Sequence, residues 1–198
     1  MSRLVVVWDI DGTLADNSHR ASLLEKQCRI CLHKPLSVAH GSVCSSCGSI
    51  DAIFTSESWE AFLDPFLMMK DTPISTAMSI LEQFRKSGAS NHFITARSYD
   101  AHGLTTAEWL STKVGRLPDE QLFMRTPEDE GIPASVYKER ALKRLKDEIG
   151  DEGTFIFFED HPHVCKMYSN HGLVIKCPEG LQYLNPSSPT FDEVIHHV

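Results

Sequence analysis

Asp9 and Asp11 stand one residue apart at the end of the run Leu4-Val5-Val6-Val7-Trp8. On an extended backbone their carboxylates project from the same face. Two carboxylates that close repel unless they share a cation or a proton. A second acidic pair, Glu159-Asp160, closes another apolar run. Oxygen-rich positions of this kind suit octahedral Mg²⁺, which takes one or two carboxylates, several waters and a substrate phosphate. By itself Asp9-Ile10-Asp11-Gly12 is also an ordinary turn in which an Asp caps nearby backbone. The acidic residues at another strand end favour the metal reading.

The cysteines suggest a different metal. Cys28-Arg29-Ile30-Cys31 and Cys44-Ser45-Ser46-Cys47 are two Cys-x-x-Cys knuckles separated by 12 residues, with Gly48 after the second. Each knuckle can place two thiolates on one side of a tetrahedral Zn²⁺. Four protein ligands close the coordination shell, so the expected role is structural. Two disulfides or a redox pair are the competing readings. His33 and His40 are expected to be bystanders, and Cys165 and Cys177, without paired spacing, to be core or surface thiols.

These groups must be held by a scaffold, and the pattern of the chain supplies one. Residues 4–8 form a continuous apolar, β-branched run, which reads as a strand buried on both faces and hence as part of a parallel sheet. Further strands are expected over residues 92–95, 122–124, 154–158 and 173–175. Helical patterns lie between them, over roughly residues 100–114, 134–149 and 161–170. Another begins at Pro73, capped by Thr72, with Ile74, Ala77, Met78, Leu81 and Phe84 at helical spacing and Gly88 at its end. This alternation predicts an α/β fold, Rossmann-like, with a central parallel sheet. In such sheets ligands bind at the carboxyl ends of the strands, so Asp9, Asp11, Thr95 and Glu159-Asp160 are expected to converge. Residues 17–70 interrupt the alternation and read as a cap insertion, leaving residues 1–16 and 71–198 as the core. The insertion has few apolar residues, and metal binding would supply folding energy there. Residues 185–189 read as a loop.

Lys138 shares a helical face with Leu142, Leu145 and Ile149, so it ends a core-facing stripe. A charge there needs a partner, and carboxylates plus a phosphate would provide one. Arg140, Lys143, Arg144 and Lys146 follow, beside Asp147 and Glu148, and read as a solvated helix face.

The chain has 198 residues, 41% of them apolar and 23% charged, with a net charge of −8. This composition excludes disordered and collagen-like classes and sets a repulsive background for long polyanions. The run at residues 4–8 is too short for a signal peptide or a membrane span. The expectation is a cytoplasmic protein without membrane partners.

The ordered set Asp9-Ile10-Asp11-Gly12-Thr13-Leu14, Thr95, Lys138 and Glu159-Asp160 resembles the four motifs of the haloacid dehalogenase-like phosphatase superfamily. A finer resemblance is to the 3′-phosphatase domain of phage polynucleotide kinase/phosphatase and related small phosphatases. It is carried by His19-Arg20, by Ser58-Trp59-Glu60-Ala61-Phe62 and by Ile94-Thr95-Ala96-Arg97-Ser98. The resemblance implies that Asp9 attacks phosphorus to form an aspartyl-phosphate and that Asp11 acts as acid and then base. Asp9, Asp160 and the Asp11 backbone carbonyl would hold Mg²⁺, with Glu159 in its outer shell. Thr95 and Lys138 would stabilise the phosphoryl oxygens, and Gly12 and Thr13 would offer donors to them. Arg20 and Arg97, beside the first two motifs, would add guanidinium forks to the phosphate.

The implied activity is a Mg²⁺-dependent phosphomonoesterase acting on a nucleotide or a nucleic-acid terminal phosphate, of 5′-nucleotidase or polynucleotide 3′-phosphatase type. The chain carries no Gly-x-x-x-x-Gly-Lys-Ser/Thr loop, so phosphate removal is expected rather than transfer from a nucleotide. One alternative is a zinc-ribbon nucleic-acid or protein binding module on a degenerate core. Dehalogenation is disfavoured because Asp11 offers a proton that no halide leaving group needs. The cap is left with two readings, shaping the substrate entrance or recognising a base.

Overall fold

The computed structural model describes residues 3–32, 44–49, 52–150 and 153–177. His33, His40 and the expected loop at 185–189 lie outside them. In chain order the elements are β1 (Arg3–Trp8), β2 (Ala15–Asp16), α1 (Ser18–Ala21), β3 (Lys26–Cys28), β4 (Ala52–Phe54), α2 (Ser56–Phe62), α3 (Pro65–Met68) and β5 (Thr72–Pro73). They continue as α4 (Ser75–Lys86), β6 (Ser90–Ser98), α5 (Tyr99–Trp109), β7 (Leu122–Arg125), α6 (Ala134–Ile149), β8 (Gly153–Glu159), α7 (Pro162–Tyr168) and β9 (Leu173–Lys176). The chain divides into two compact units, Met1–Asp16 with Thr72–Val198, and Asn17–Asp71.

The first unit is built on a five-stranded parallel sheet of order β7-β6-β1-β8-β9. It is an α/β fold with a central parallel sheet and helices packed on both faces. Val5, Val6, Val7 and Trp8 are all buried, which is why β1 reads as an unbroken apolar run rather than an alternating one. On one face Val5, Val7, Phe155 and Phe157 pack against Tyr137, Leu142 and Leu145 of α6 and Val164 and Tyr168 of α7. On the other, Trp8 stacks on Phe158 at 4.0 Å, and Phe84 of α4 meets both rings edge-on.

Because β6 and β8 lie on opposite sides of β1, the chain reverses its direction of travel across the sheet there. This is the topological switch point at which open α/β sheets bind ligands.

Two expectations change. Thr72 and Pro73 do not open α4; they form β5, antiparallel to β2, and α4 starts at Ser75. The Ile74 N–H donates to Leu14 O at 2.8 Å, so the local helix-start signal yields to a backbone partner distant in sequence. The segment after residue 99 is also not one regular helix, since α5 passes into a π-helical turn, Leu110–Val114, closed by Gly115 with φ +67°.

The second unit has a β3–β4 ribbon, with Lys26 opposite Phe54 and Cys28 opposite Ala52. Thr55 caps α2 by accepting from the Ser58 N–H, and Asp64 caps α3 by accepting from the N–H groups of Phe66 and Leu67. Among the described residues no helix is long and apolar enough to cross a membrane.

Candidate active site

Register sets the first pair of groups. Trp8 lies opposite Phe158 in the β1–β8 ladder, and the ladder continues with the Asp9 N–H donating to Phe158 O at 3.0 Å. Asp9 and Glu159 are therefore the next neighbours along two parallel strands. Lys138, one turn into α6, bridges them: its Nζ donates to Asp9 Oδ1 and to Glu159 Oε2, both at 2.6 Å. All three side chains are less than a tenth exposed. A buried ammonium between two buried carboxylates is a paired charge, as burial requires.

One ammonium does not balance the cluster. Carboxylate oxygens of Asp9, Glu159 and Asp160 lie within 4.8 Å of one another. Burial, followed by the charge of Glu159, holds the Asp9 carboxyl well above the usual range. The same two causes push Asp160 up to about 7. Burial opposes the charge on Lys138, but Asp9 and Glu159 outweigh it and keep the ammonium protonated. Crowded carboxyls that resist ionisation next to a single ammonium suit a second cation in place of protons, and their hard oxygen donors fit a divalent one such as Mg²⁺.

Glu159 is the more fully occupied of the acidic pair, since its Oε1 also accepts from the His161 N–H at 3.1 Å. Asp160 instead lies against Gly12, whose φ is +76° and where a Cβ would clash with Asp160 Oδ2. Glycine is needed there for both reasons, the left-handed backbone and the close approach.

The segment after β1 is a turn rather than an extended strand. Ile10 O accepts from the N–H groups of Thr13, Leu14 and Ala15. Asp11 consequently faces Arg97, whose Nε and Nη2 donate to its two oxygens at 2.8 and 2.7 Å. The expected fork is present, but its partner is Asp11. Thr106 accepts from Arg97 Nη1 at 3.3 Å, a supporting contact that no sequence signal marked. Thr95 is buried past the point where β6 and β7 shift register, and its Oγ1 accepts from the Arg97 N–H at 3.3 Å. The Thr13 hydroxyl is buried near the Cys177 thiol, which burial pushes up to about 12.

Arg20 is placed differently from the sequence expectation. It belongs to the second unit, fully buried, and its Nε and Nη2 donate to both oxygens of Asp71 at 2.9 and 2.8 Å while Nη1 donates to Phe62 O. A bidentate fork on a buried carboxylate gives Arg20 a structural partner within that unit. Its partner was invisible in sequence because it lies 51 residues away. The basic face of α6 is solvated as expected, with exposed Arg140 and Arg144 reaching Asp129 at 3.7 and 3.9 Å.

The four knuckle cysteines also gather. Cys28 and Cys47 Sγ atoms are 3.4 Å apart and those of Cys31 and Cys44 3.6 Å, with all four within 4.8 Å. Tetrahedral Zn–S bonds of about 2.3 Å require sulfur separations of about 3.8 Å, and none of the four is in a disulfide. The knuckles are twins: Leu32 N–H donates to Cys28 O and Gly48 N–H to Cys44 O. Leu32 and Gly48 both adopt positive φ, 57° and 72°. The Ser49 backbone pulls the Cys47 thiol down, but the sulfurs of Cys28, Cys31 and Cys44 outweigh it and push it up to about 12. Four sulfurs gathered this closely fit a soft cation that binds them together as thiolates.

No family model matches the chain, and no curated protein matches it. Solved structures do. A haloacid dehalogenase-like hydrolase from Streptococcus pneumoniae is 14% identical over 98% of both chains, with a TM-score of 0.55. The core has the haloacid dehalogenase-like fold. The class C acid phosphatase of Bacillus anthracis with tungstate bound is 13% identical, with a TM-score of 0.54, over 100% of this chain and 79% of that one. A chain of the Pnkp1/Rnl/Hen1 RNA repair complex is 14% identical with a TM-score of 0.54; the match covers 90% of this chain but only 43% of that one.

Proposed function

We propose that the chain is a Mg²⁺-dependent phosphomonoesterase acting on the terminal phosphate of a nucleotide or nucleic-acid strand. The observation that carries this reading is the Lys138 bridge between Asp9 and Glu159, with Asp160 beside it, at the switch point of the sheet. Asp9 attacks phosphorus, the Asp9–phosphorus bond forms, and the ester oxygen leaves with a proton from Asp11. Water then displaces Asp9, giving its proton back to Asp11. The Arg97 fork on Asp11 favours the carboxylate that accepts the proton from water, the acid step requires that fork to open, and Thr95 and Lys138 donate to the phosphoryl oxygens. Asp9 and Asp160 would hold Mg²⁺ together with the Asp11 carbonyl, and Glu159, whose two oxygens are already occupied, sits in the outer shell. When bound, the ion neutralises charge on the phosphoryl oxygens.

The nucleotide or nucleic-acid substrate is supported by the motif resemblance of residues 94–98 and by the likeness to a chain of an RNA repair complex. Zn²⁺ is assigned to Cys28, Cys31, Cys44 and Cys47 as a structural ion. The test is a phosphate-release panel with Mg²⁺, comparing 5′- and 3′-mononucleotides with 3′-phosphorylated oligonucleotides. Turnover of at least one class is expected, with a loss of roughly a thousandfold or more in Asp9→Asn. Absence of turnover across the panel, with nucleic-acid binding retained, would replace this reading with the binding-module alternative.

A further inference from the structure

The second unit carries an arrangement that the proposed reaction does not use. Trp59 stacks on Phe54 at 5.7 Å and on Phe62 at 5.4 Å. Lys26 Nζ lies over Phe54 at 5.3 Å, and the Arg20 guanidinium over Phe62 at 4.4 Å. The order of contacts is therefore Lys26, Phe54, Trp59, Phe62, Arg20, an aromatic ladder with a cation at each end. A further pair, Lys70 over the exposed Phe66 at 4.2 Å, occurs in the same unit. Three cation–ring contacts thus fall within residues 17–71.

The two ends of the ladder differ. Arg20 is fully buried and locked by Asp71, so the Phe62 end is closed. At the other end Phe54 is 38% exposed and Trp59 44%, and the capping group is the long, flexible side chain of a lysine. A planar base can stack on the exposed part of Phe54 and extend the run of rings, with the Lys26 ammonium, 5.3 Å from that ring, beside it to meet a phosphate. Aromatic platforms flanked by Lys and Arg are the means by which single strands are held without sequence readout.

Charge agrees with this. The segment 17–71 has five basic and six acidic residues, whereas the rest of the chain has fourteen and twenty-one, so the near-neutral unit repels a polyanion least. Glu57 and Glu60, on the same helix as Trp59, oppose a long phosphate backbone and limit the site to a base or two.

We propose that the Phe54–Lys26 end of this ladder stacks an unpaired nucleobase. The proposal deepens the nucleotide or nucleic-acid reading above and rests on it only for the substrate class. The test uses the full, zinc-loaded chain and an unphosphorylated six-nucleotide oligodeoxyadenylate, so it reads binding whether or not the chain releases phosphate. Trp8 and Trp109 are fully buried, and quenching of tryptophan emission therefore reports Trp59. Saturable quenching is expected, about tenfold weaker in Phe54→Ala and less salt-dependent in Lys26→Gln. Zinc content of each variant checks that the unit has folded. The proposal is overturned by absent quenching, by equal binding of the same sequence as a duplex, or by unaltered affinity in zinc-loaded Phe54→Ala and Lys26→Gln.

Discussion

The sheet unit and the unit formed by residues 17–71 are held together by different physics. In the first, aliphatic and aromatic side chains from β1, β6 and β8 disappear between layers of helices, and the stabilising term is nondirectional burial. In the second, among the described residues, Met68 is the one buried hydrophobic side chain apart from cysteines, and Arg20, Thr55, Ser58 and Asp71 are buried with it. Four thiols, one arginine–carboxylate fork and a cation-capped stack of rings do there what a packed core does elsewhere. The contrast teaches that a segment too poor in apolar residues to fold by burial can still be specified by a few directed contacts, at the cost of depending on each of them.

Metal removal breaks the comparison most sharply. Stripping zinc with a chelator, or Cys44→Ser, is expected to unfold residues 17–71 outright, because structural zinc contributes on the order of 10 kcal/mol in small metal-stapled units. The sheet unit keeps its cooperative transition. Hydrogen exchange on both units checks this, and protected amides in the zinc-free insertion would contradict it. The next effect is smaller. Asp71→Asn leaves the Arg20 charge buried without its counter-ion, which costs about 3–5 kcal/mol. A double change, Arg20→Met with Asp71→Leu, is expected to recover much of that loss, and denaturant titrations of the two variants measure the difference.

The smallest effect lies in the sheet unit. His92 Nδ1 accepts from the Gln121 N–H at 3.2 Å, and the ring's Nε2 meets Ser90 Oγ at 2.7 Å, an arrangement that suits neutral imidazole. Burial, assisted by the charge of Arg3, lowers its pKa from 6.5 to about 4. The unfolded chain therefore takes up this proton first, so the stabilisation is complete above about pH 6.5 and is lost as pH falls toward 4. His92→Gln should flatten the stability profile of the sheet unit between those values. Urea midpoints measured across the range test this, and an unchanged slope would remove His92 as its source.

The same contrast explains what could be read from the residues alone. Strands β1 and β8 were visible because burial on both faces leaves an uninterrupted apolar run. Lys138 was visible because a charge at the end of the Leu142–Leu145 stripe has to find a partner. The knuckles were visible because two Cys-x-x-Cys pairs have the spacing a tetrahedral ion requires. Contacts that depend on distant residues were not. Asp11 pairs with Arg97 from 86 positions away, and Arg20 with Asp71 from 51. The stack of Trp59 and Phe62 on α2 is joined by Phe54 from β4, and nothing local announces that register.

The short β2–β5 ribbon has a further consequence. Ala15 lies opposite Pro73 and Asp16 opposite Thr72, so the chain departs from the sheet unit and rejoins it across two opposed residue pairs of antiparallel backbone. The two cut points form a ready-made hairpin stem, and everything from 17 to 71 is, topologically, a very long turn upon it. A shorter turn on the same stem would leave every strand of the central sheet threaded as it is. The stem is thus a cut point at which residues 17–71 could be replaced while the acidic cluster keeps its place at the ends of β1 and β8.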